Sequence, residues 1–203
     1  MGKKKADGSR VPQPKLYPTN YYVLNDYGIP DCAVLTTTPD LEPHLDNWMD
    51  GEEITEAVPE PLLYTIDEDE SGNMPAFFLD AMPLMEKKLL KILEDLGVDN
   101  LQTYQAEIHD EGRKKVFKNY RAINIVGAVA MLDKKKSKSR GLGLGGAGFI
   151  HKLVLDESKA KGKLILRLEE SLLTILVHKK IKDAAEKNGI KNVSFTHPAL
   201  WSG

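Results

Sequence analysis

The chain has 203 residues, 41% hydrophobic and 29% charged, with a formal net charge of −2 and one cysteine. That length supports one sizeable core, and the composition is ordinary for a soluble globular protein. The single Cys32 excludes a disulfide framework and a CxxC metal site, and no window approaches the roughly 20 apolar residues of a membrane span. The near-neutral total hides a segregation. Residues 16–86 hold sixteen acids and no Lys or Arg, whereas residues 87–203 hold twenty-three bases and thirteen acids. A one-signed surface steers and selects an oppositely charged one.

The opening MGKKKADGSR is basic but has no apolar stretch behind it, so it is not read as a secretory signal. Residues 1–15 are expected to be a disordered tail. Tyr21 to Leu24 reads as the first strand, with a turn over Asn25 to Pro30. Cys32 to Thr36 is a second extended run, and Cys32 itself reads as a small buried side chain, not a nucleophile. Leu41, Leu45 and Trp48 stand at i, i+4 and i+7, which predicts a short helix. Leu62 to Ile66 is a strand, and Asp67 to Asn73 is a solvent loop.

Met85, Leu89, Ile92, Leu93 and Leu96 share one face of a helix, with Asp80 as its N-cap and Gly97 as its C-cap. Leu101 to His109 alternates as a half-buried strand. Tyr120 to Leu132 is nearly all apolar and predicts a central strand kinked at Gly127. A basic, glycine-rich loop spans Lys134 to Gly148. Phe149 to Leu155 and Lys163 to Leu168 are expected to form a hairpin. Leu173 to Val177 is a short strand, and Lys179 to Asn188 a helix ending at Gly189. Val193 to Phe195 closes the chain as a strand. Strands and helices do not alternate regularly, so the expected fold is α+β, a mainly antiparallel sheet packed by a few helices. Residues 16–203 read as one domain, with 16–80 and 81–203 as possible sub-lobes.

Motifs for chemistry are weak. Gly141-Leu-Gly143-Leu-Gly-Gly146 matches GxGxxG, but a strand follows it where a dinucleotide site needs a helix N-terminus. Lys134 to Arg140 lacks interleaved aromatics for base stacking, so nucleic acid is not expected. The histidines His44, His109, His151, His178 and His197 show no metal-ligand spacing, and Asp67 to Glu70 lacks the distal Glu of an EF-hand. No catalytic residue, metal or cofactor is assigned, and the protein is read as a non-enzyme.

Several blocks resemble an immunity protein family of bacterial polymorphic toxin systems, the eleventh in the usual numbering. They are Gly97-Val98 with Leu101-Gln102, then Tyr120-Arg-Ala-Ile-Asn-Ile-Val-Gly-Ala-Val-Ala. Lys152-Leu-Val-Leu-Asp-Glu157, Leu166-Arg-Leu-Glu-Glu-Ser171 and Ile175-Leu-Val-His178 follow, and Tyr21-Tyr-Val-Leu24 resembles the opening strand. Leu166 stands where a Phe is expected. The resemblance implies a cytoplasmic protein that binds and neutralises a cognate toxin encoded nearby, without nucleic acid or membrane as partner. It supplies no active site.

Toxins that attack nucleic acids or nucleotides often have basic clefts, and an acidic surface carrying aromatics could plug one. The candidate toxin-binding residues are Asp46, Trp48, Asp50, Glu52, Glu53, Tyr64, Asp67, Glu68, Asp69 and Glu70. The same acids could serve solubility alone. Two alternatives stay open. One is an enzyme that reverses a toxin-catalysed modification, with a pocket around His109, Glu107 and Tyr120. The other is a toxin-independent interaction or adaptor domain using the basic run 134–140.

Overall fold

The structure, a computed structural model, describes residues 16–41, 45–140 and 149–202. The expected tail over 1–15 and the glycine-rich run 141–148 lie outside the described residues. In chain order the elements are β1 (Tyr21–Asn25), α1 (Leu45–Asp50), β2 (Leu62–Ile66), β3 (Phe77–Phe78), β4 (Leu84–Glu86) and α2 (Lys87–Asp95). Then come β5 (Leu101–Asp110), β6 (Lys115–Phe117), β7 (Tyr120–Ile125), β8 (Ala128–Val129), β9 (Lys138–Arg140) and β10 (Phe149–Lys152). The last are β11 (Ile165–Leu168), β12 (Ser171–His178), α3 (Lys179–Lys187) and β13 (Ser194–Thr196).

The first large sheet runs β2-β5-β7-β4-β3, with β6 also on β5; the second runs β13-β1-β12-β11-β8; β9 and β10 form a separate ribbon. Pairing is antiparallel except for β2 beside β5 and β8 beside β11. The fold is therefore α+β. Residues 16–80 supply strands to both large sheets, since β1 pairs with β12 while β2 and β3 pair with β5 and β4.

Both faces of the second sheet are covered, which explains its unbroken apolar runs. Ile175 and Val177 of β12 face a core shared with Ile123 and Ile125 of β7, Leu89 and Leu93 of α2, and Ile181 of α3. Leu176 faces the opposite way, with Val23, Leu166 and Trp201. A third cluster, on the other side of the first sheet, holds Trp48, Tyr64, Phe78, Ile108 and Tyr120.

Several expectations need correction. Cys32 to Thr36 forms no ladder, only isolated bridges from Cys32 to Asn73 and from Thr37 to Thr65. α2 begins at Lys87, not near Asp80. Met85 is already committed as a strand residue opposite Phe77 and Arg121, and Glu86 is still extended. Asp80 instead accepts the Met82 N–H at 3.2 Å. Gly97, at φ 80°, does end the helix. Tyr120 to Leu132 is two strands in two different sheets. Gly127, at φ 98°, turns the chain out of the first sheet and into the second. The predicted hairpin of 149–155 with 163–168 is absent, because β10 pairs with β9 while β11 lies between β12 and β8.

The entry to β1 is tied down electrostatically. The Glu157 carboxylate accepts from Thr19 Oγ1 at 2.6 Å, the Asn20 N–H at 2.8 Å and Asn20 Nδ2 at 2.9 Å. Burial raises its pKa, but these donors outweigh burial and the net shift is downward. Its contribution is complete above the ordinary glutamate range and is lost as pH falls through the lower folded value. Glu157→Gln is expected to cost about 1–2 kcal/mol at neutral pH. That difference should shrink in melts below about pH 4. A difference independent of pH would show that charge is not what holds this strand entry.

Candidate interaction surface

Residues 50–56 leave α1 and are clasped onto the first sheet by side-chain amides. The Ile54 N–H donates to Gln102 Oε1 at 2.9 Å, and Gln102 Nε2 donates back to the Ile54 carbonyl at 2.9 Å. Asn124 Nδ2 donates to the Glu52 carbonyl at 2.6 Å and to Gln102 Oε1 at 3.0 Å. The Gly127 N–H donates to the Gly51 carbonyl at 2.7 Å. Gly51 sits at φ 70°, and a Cβ there would lie 2.9 Å from the Ile125 carbonyl oxygen and 3.0 Å from Arg167 Cδ. Only glycine allows so close a crossing.

This clasp presents Asp50, Glu52 and Glu53 to solvent. Burial first, then the carboxylates of Glu60 and Glu53, push the half-buried Tyr104 phenol up. The side chain of Asp46 lies outside the described residues.

Two candidate residues must be removed from the surface. Trp48 is fully buried, its Nε1–H donating to the Ile123 carbonyl at 2.8 Å and its ring 4.9 Å from that of Tyr104. Tyr64 is also fully buried, donating to the Met82 carbonyl at 3.2 Å. Both are core residues with satisfied polar atoms, so neither can anchor a partner.

Asp67, Glu68, Asp69 and Glu70 are exposed, but they do not join the Asp50–Glu53 group. Ile54 is held on Gln102, whereas the acidic run follows Ile66, which pairs with Asp110 eight residues further along β5, roughly 26 Å away. The parallel pairing of β2 with β5 also brings the basic β5–β6 turn beside this run. Gly112 packs against the Glu68 carbonyl, and the Arg113 guanidinium donates to Ser71 Oγ at 3.0 Å and to the Gly72 carbonyl. Arg113 also pairs with the buried Asp110. Charges segregated along the sequence are thus interleaved in space at this end of the sheet.

Other sequence candidates do not converge. Glu107 and His109 lie on the solvent side of β5, 3.7 Å apart, and Glu107 is taken by Lys118 at 2.8 Å. Tyr120 is buried, donating to the Pro75 carbonyl at 2.8 Å. Cys32 is half-buried, and burial followed by the Asp26 carboxylate pushes its thiol up to about 11, so the thiolate is scarce at neutral pH. Lys138 to Arg140 of the basic run form β9 and are exposed.

Two features were not foreseen. Asp26 and Asp80 face a cleft of about 350 Å³ that also includes Cys32 and Phe78. Burial raises the pKa of both carboxyls, and Asp80 adds to the rise at Asp26. The two are remote in sequence, and no local motif marks them. The second is Arg167, whose side chain is fully buried beneath Gly51. Its Nη1 donates to the Leu172 carbonyl at 2.8 Å, while Nε and Nη2 have no partner.

Among the described residues no helix is long and apolar enough to cross a membrane, and no group of side chains is arranged to hold a metal ion. Comparison with protein-family models and with curated proteins finds no match to this chain.

Proposed function

We propose that this protein is an immunity-type inhibitor that binds a basic toxin and covers its working cleft, with no bond made or broken. The observation that carries this reading is the clasped segment bearing Asp50, Glu52 and Glu53. Its backbone is fixed in advance by Gln102 and Asn124, so little ordering cost remains when a partner docks. Exposed carboxylates on such a segment favour fast, salt-sensitive association.

The decisive experiment is co-expression with the product of the neighbouring toxin gene, followed by binding kinetics on the purified pair. Protection and a stable complex are expected; a toxin that still kills in its presence would end the proposal. Asp50→Asn, Glu52→Gln and Glu53→Gln combined should slow association about tenfold at low salt and leave dissociation nearly unchanged. An unchanged on-rate would move the interface elsewhere.

A second reading, an enzyme that reverses a modification made by the toxin, has the Asp26–Asp80 cleft in its favour. It requires that the wild-type protein, mixed with the modified target, release a product, and that Asp26→Asn with Asp80→Asn abolish both that product and protection. Protection retained by that variant would dismiss it.

A further inference from the structure

We propose that the groove between α2 and α3 is a docking site for an acidic amphipathic helix of a second protein, a surface distinct from the Asp50–Glu53 segment and independent of the inhibitor reading. The two helices pack side by side but leave an open depression of about 500 Å³ along their outer faces. Its floor is apolar: Ile92 and Leu96 from α2, Ala184 from α3 and Ile190 just beyond it. From Lys87 to Leu96 the groove follows nine residues of helical rise, roughly 14 Å, which matches two to three turns of an incoming helix.

The rim sets the sign of the partner. Lys87, Lys88 and Lys91 line one side, and all three are exposed. Lys91 is paired with Asp95 one turn on, and Asp95 is the only acidic residue among those lining the groove. Lys87 and Lys88 have no carboxylate within ion-pair distance among the described residues. On the α3 side, Lys187 and Lys191 are exposed and adjoin Asn188 and Ile190 in sequence, but neither lines the groove. Asn188 is not free to recognise a ligand, since its Nδ2 already donates to the Ala184 carbonyl at 2.8 Å.

An apolar floor beside one lysine rim is complementary to a helix with leucine-type anchors at i, i+4 and i+7 and carboxylates along the flank that faces α2. The anchors would cover Ile92, Leu96, Ala184 and Ile190, and the flanking acids would meet Lys87 and Lys88. Such a helix would add a third member to the α2–α3 layer by ordinary ridge-into-groove packing.

The test is fluorescence anisotropy with the full chain and a labelled amphipathic peptide carrying leucine anchors flanked by glutamates. A second peptide has lysine at every glutamate position. The glutamate peptide should bind at least about tenfold tighter than the lysine peptide at low salt. Lys87→Glu with Lys88→Glu and Lys91→Glu should weaken it by a similar factor, with the melting temperature little changed because these side chains are exposed. Ala184→Trp, which fills the groove without altering charge, should weaken it as well, and the lysine variant carries the test if Ala184→Trp fails to fold. Equal binding of the two peptides, no binding of either, or full binding by the lysine variant overturns the proposal. So does sedimentation with phosphatidylserine vesicles that depends on the three lysines while the glutamate peptide does not bind, which would make this face a lipid contact.

Discussion

Trp48→Ala is expected to lower the unfolding free energy by about 3–5 kcal/mol, the largest single loss predicted for this fold. Three losses combine. The indole is fully buried and shares a core with Ile54, Leu62 and Tyr64. Its N–H satisfies the Ile123 carbonyl at 2.8 Å, a bond worth about 1 kcal/mol. Its ring also packs 4.9 Å from that of Tyr104. α1 has only six residues, far too few to hold as an isolated helix in water. The tryptophan is what fixes it to the sheet, and with it the start of the Asp50–Glu53 segment. Trp48→Phe should retain most of the packing and lose the N–H, placing it between the wild type and the alanine variant. Urea melts provide the measurement. An alanine variant within about 1 kcal/mol of wild type would show that the site collapses around the loss and that α1 is held by other contacts.

Arg167→Met is expected to act in the opposite direction, raising stability by about 1–3 kcal/mol. Burial pushes the Arg167 guanidinium down to about 10, and the Asp50 carboxylate only partly offsets that fall. A base whose folded pKa is lowered is destabilising while it stays charged. The cost is therefore present at neutral pH and is relieved only as pH rises through the folded value toward the ordinary arginine range. A drop from 12.5 to about 10 corresponds to roughly 3 kcal/mol. Methionine matches the stem in length and needs no partners. It forfeits one hydrogen bond, from Nη1 to the Leu172 carbonyl. The advantage of the variant should narrow above about pH 10. A variant less stable than wild type by several kcal/mol would mean that Nε and Nη2 are satisfied in solution and that the site is built around a charge.

How far these features could be read in advance depended on whether the signal was local. The alternation of Leu101 to His109 became a strand where expected because of its two-residue period, and the unbroken apolar run Ile175-Leu-Val became one buried on both faces. α3 likewise followed from its apolar spacing and its terminal glycine. Trp48 is more instructive. The spacing with Leu41 and Leu45 that predicted a helix also implies an inward-facing indole, yet the acids around it suggested a surface anchor. Periodicity was the better guide, because an apolar stripe is buried whatever charge flanks it. Asp67 to Glu70 beside Arg113 could not be read, since their meeting depends on the pairing of β2 with β5. The same holds for Asp26 with Asp80. Arg167, in the run Leu-Ile-Leu-Arg-Leu, carries no mark of its burial, because a charged residue in a strand is ordinarily taken for a solvent-facing one.

The position of β1 has a consequence for the birth of the molecule. Tyr21 to Asn25 lie between β12 and β13, opposite His178 on one side and Thr196 on the other. Ribosomes add residues at about 5–20 per second, so those neighbours emerge roughly 8–30 s after β1 itself. Throughout that interval Val23 and Leu24 have no native strand to cover them. Until then this segment is one that a chaperone could cover, and a message cut short before β12 would leave β1 with neither of its partner strands.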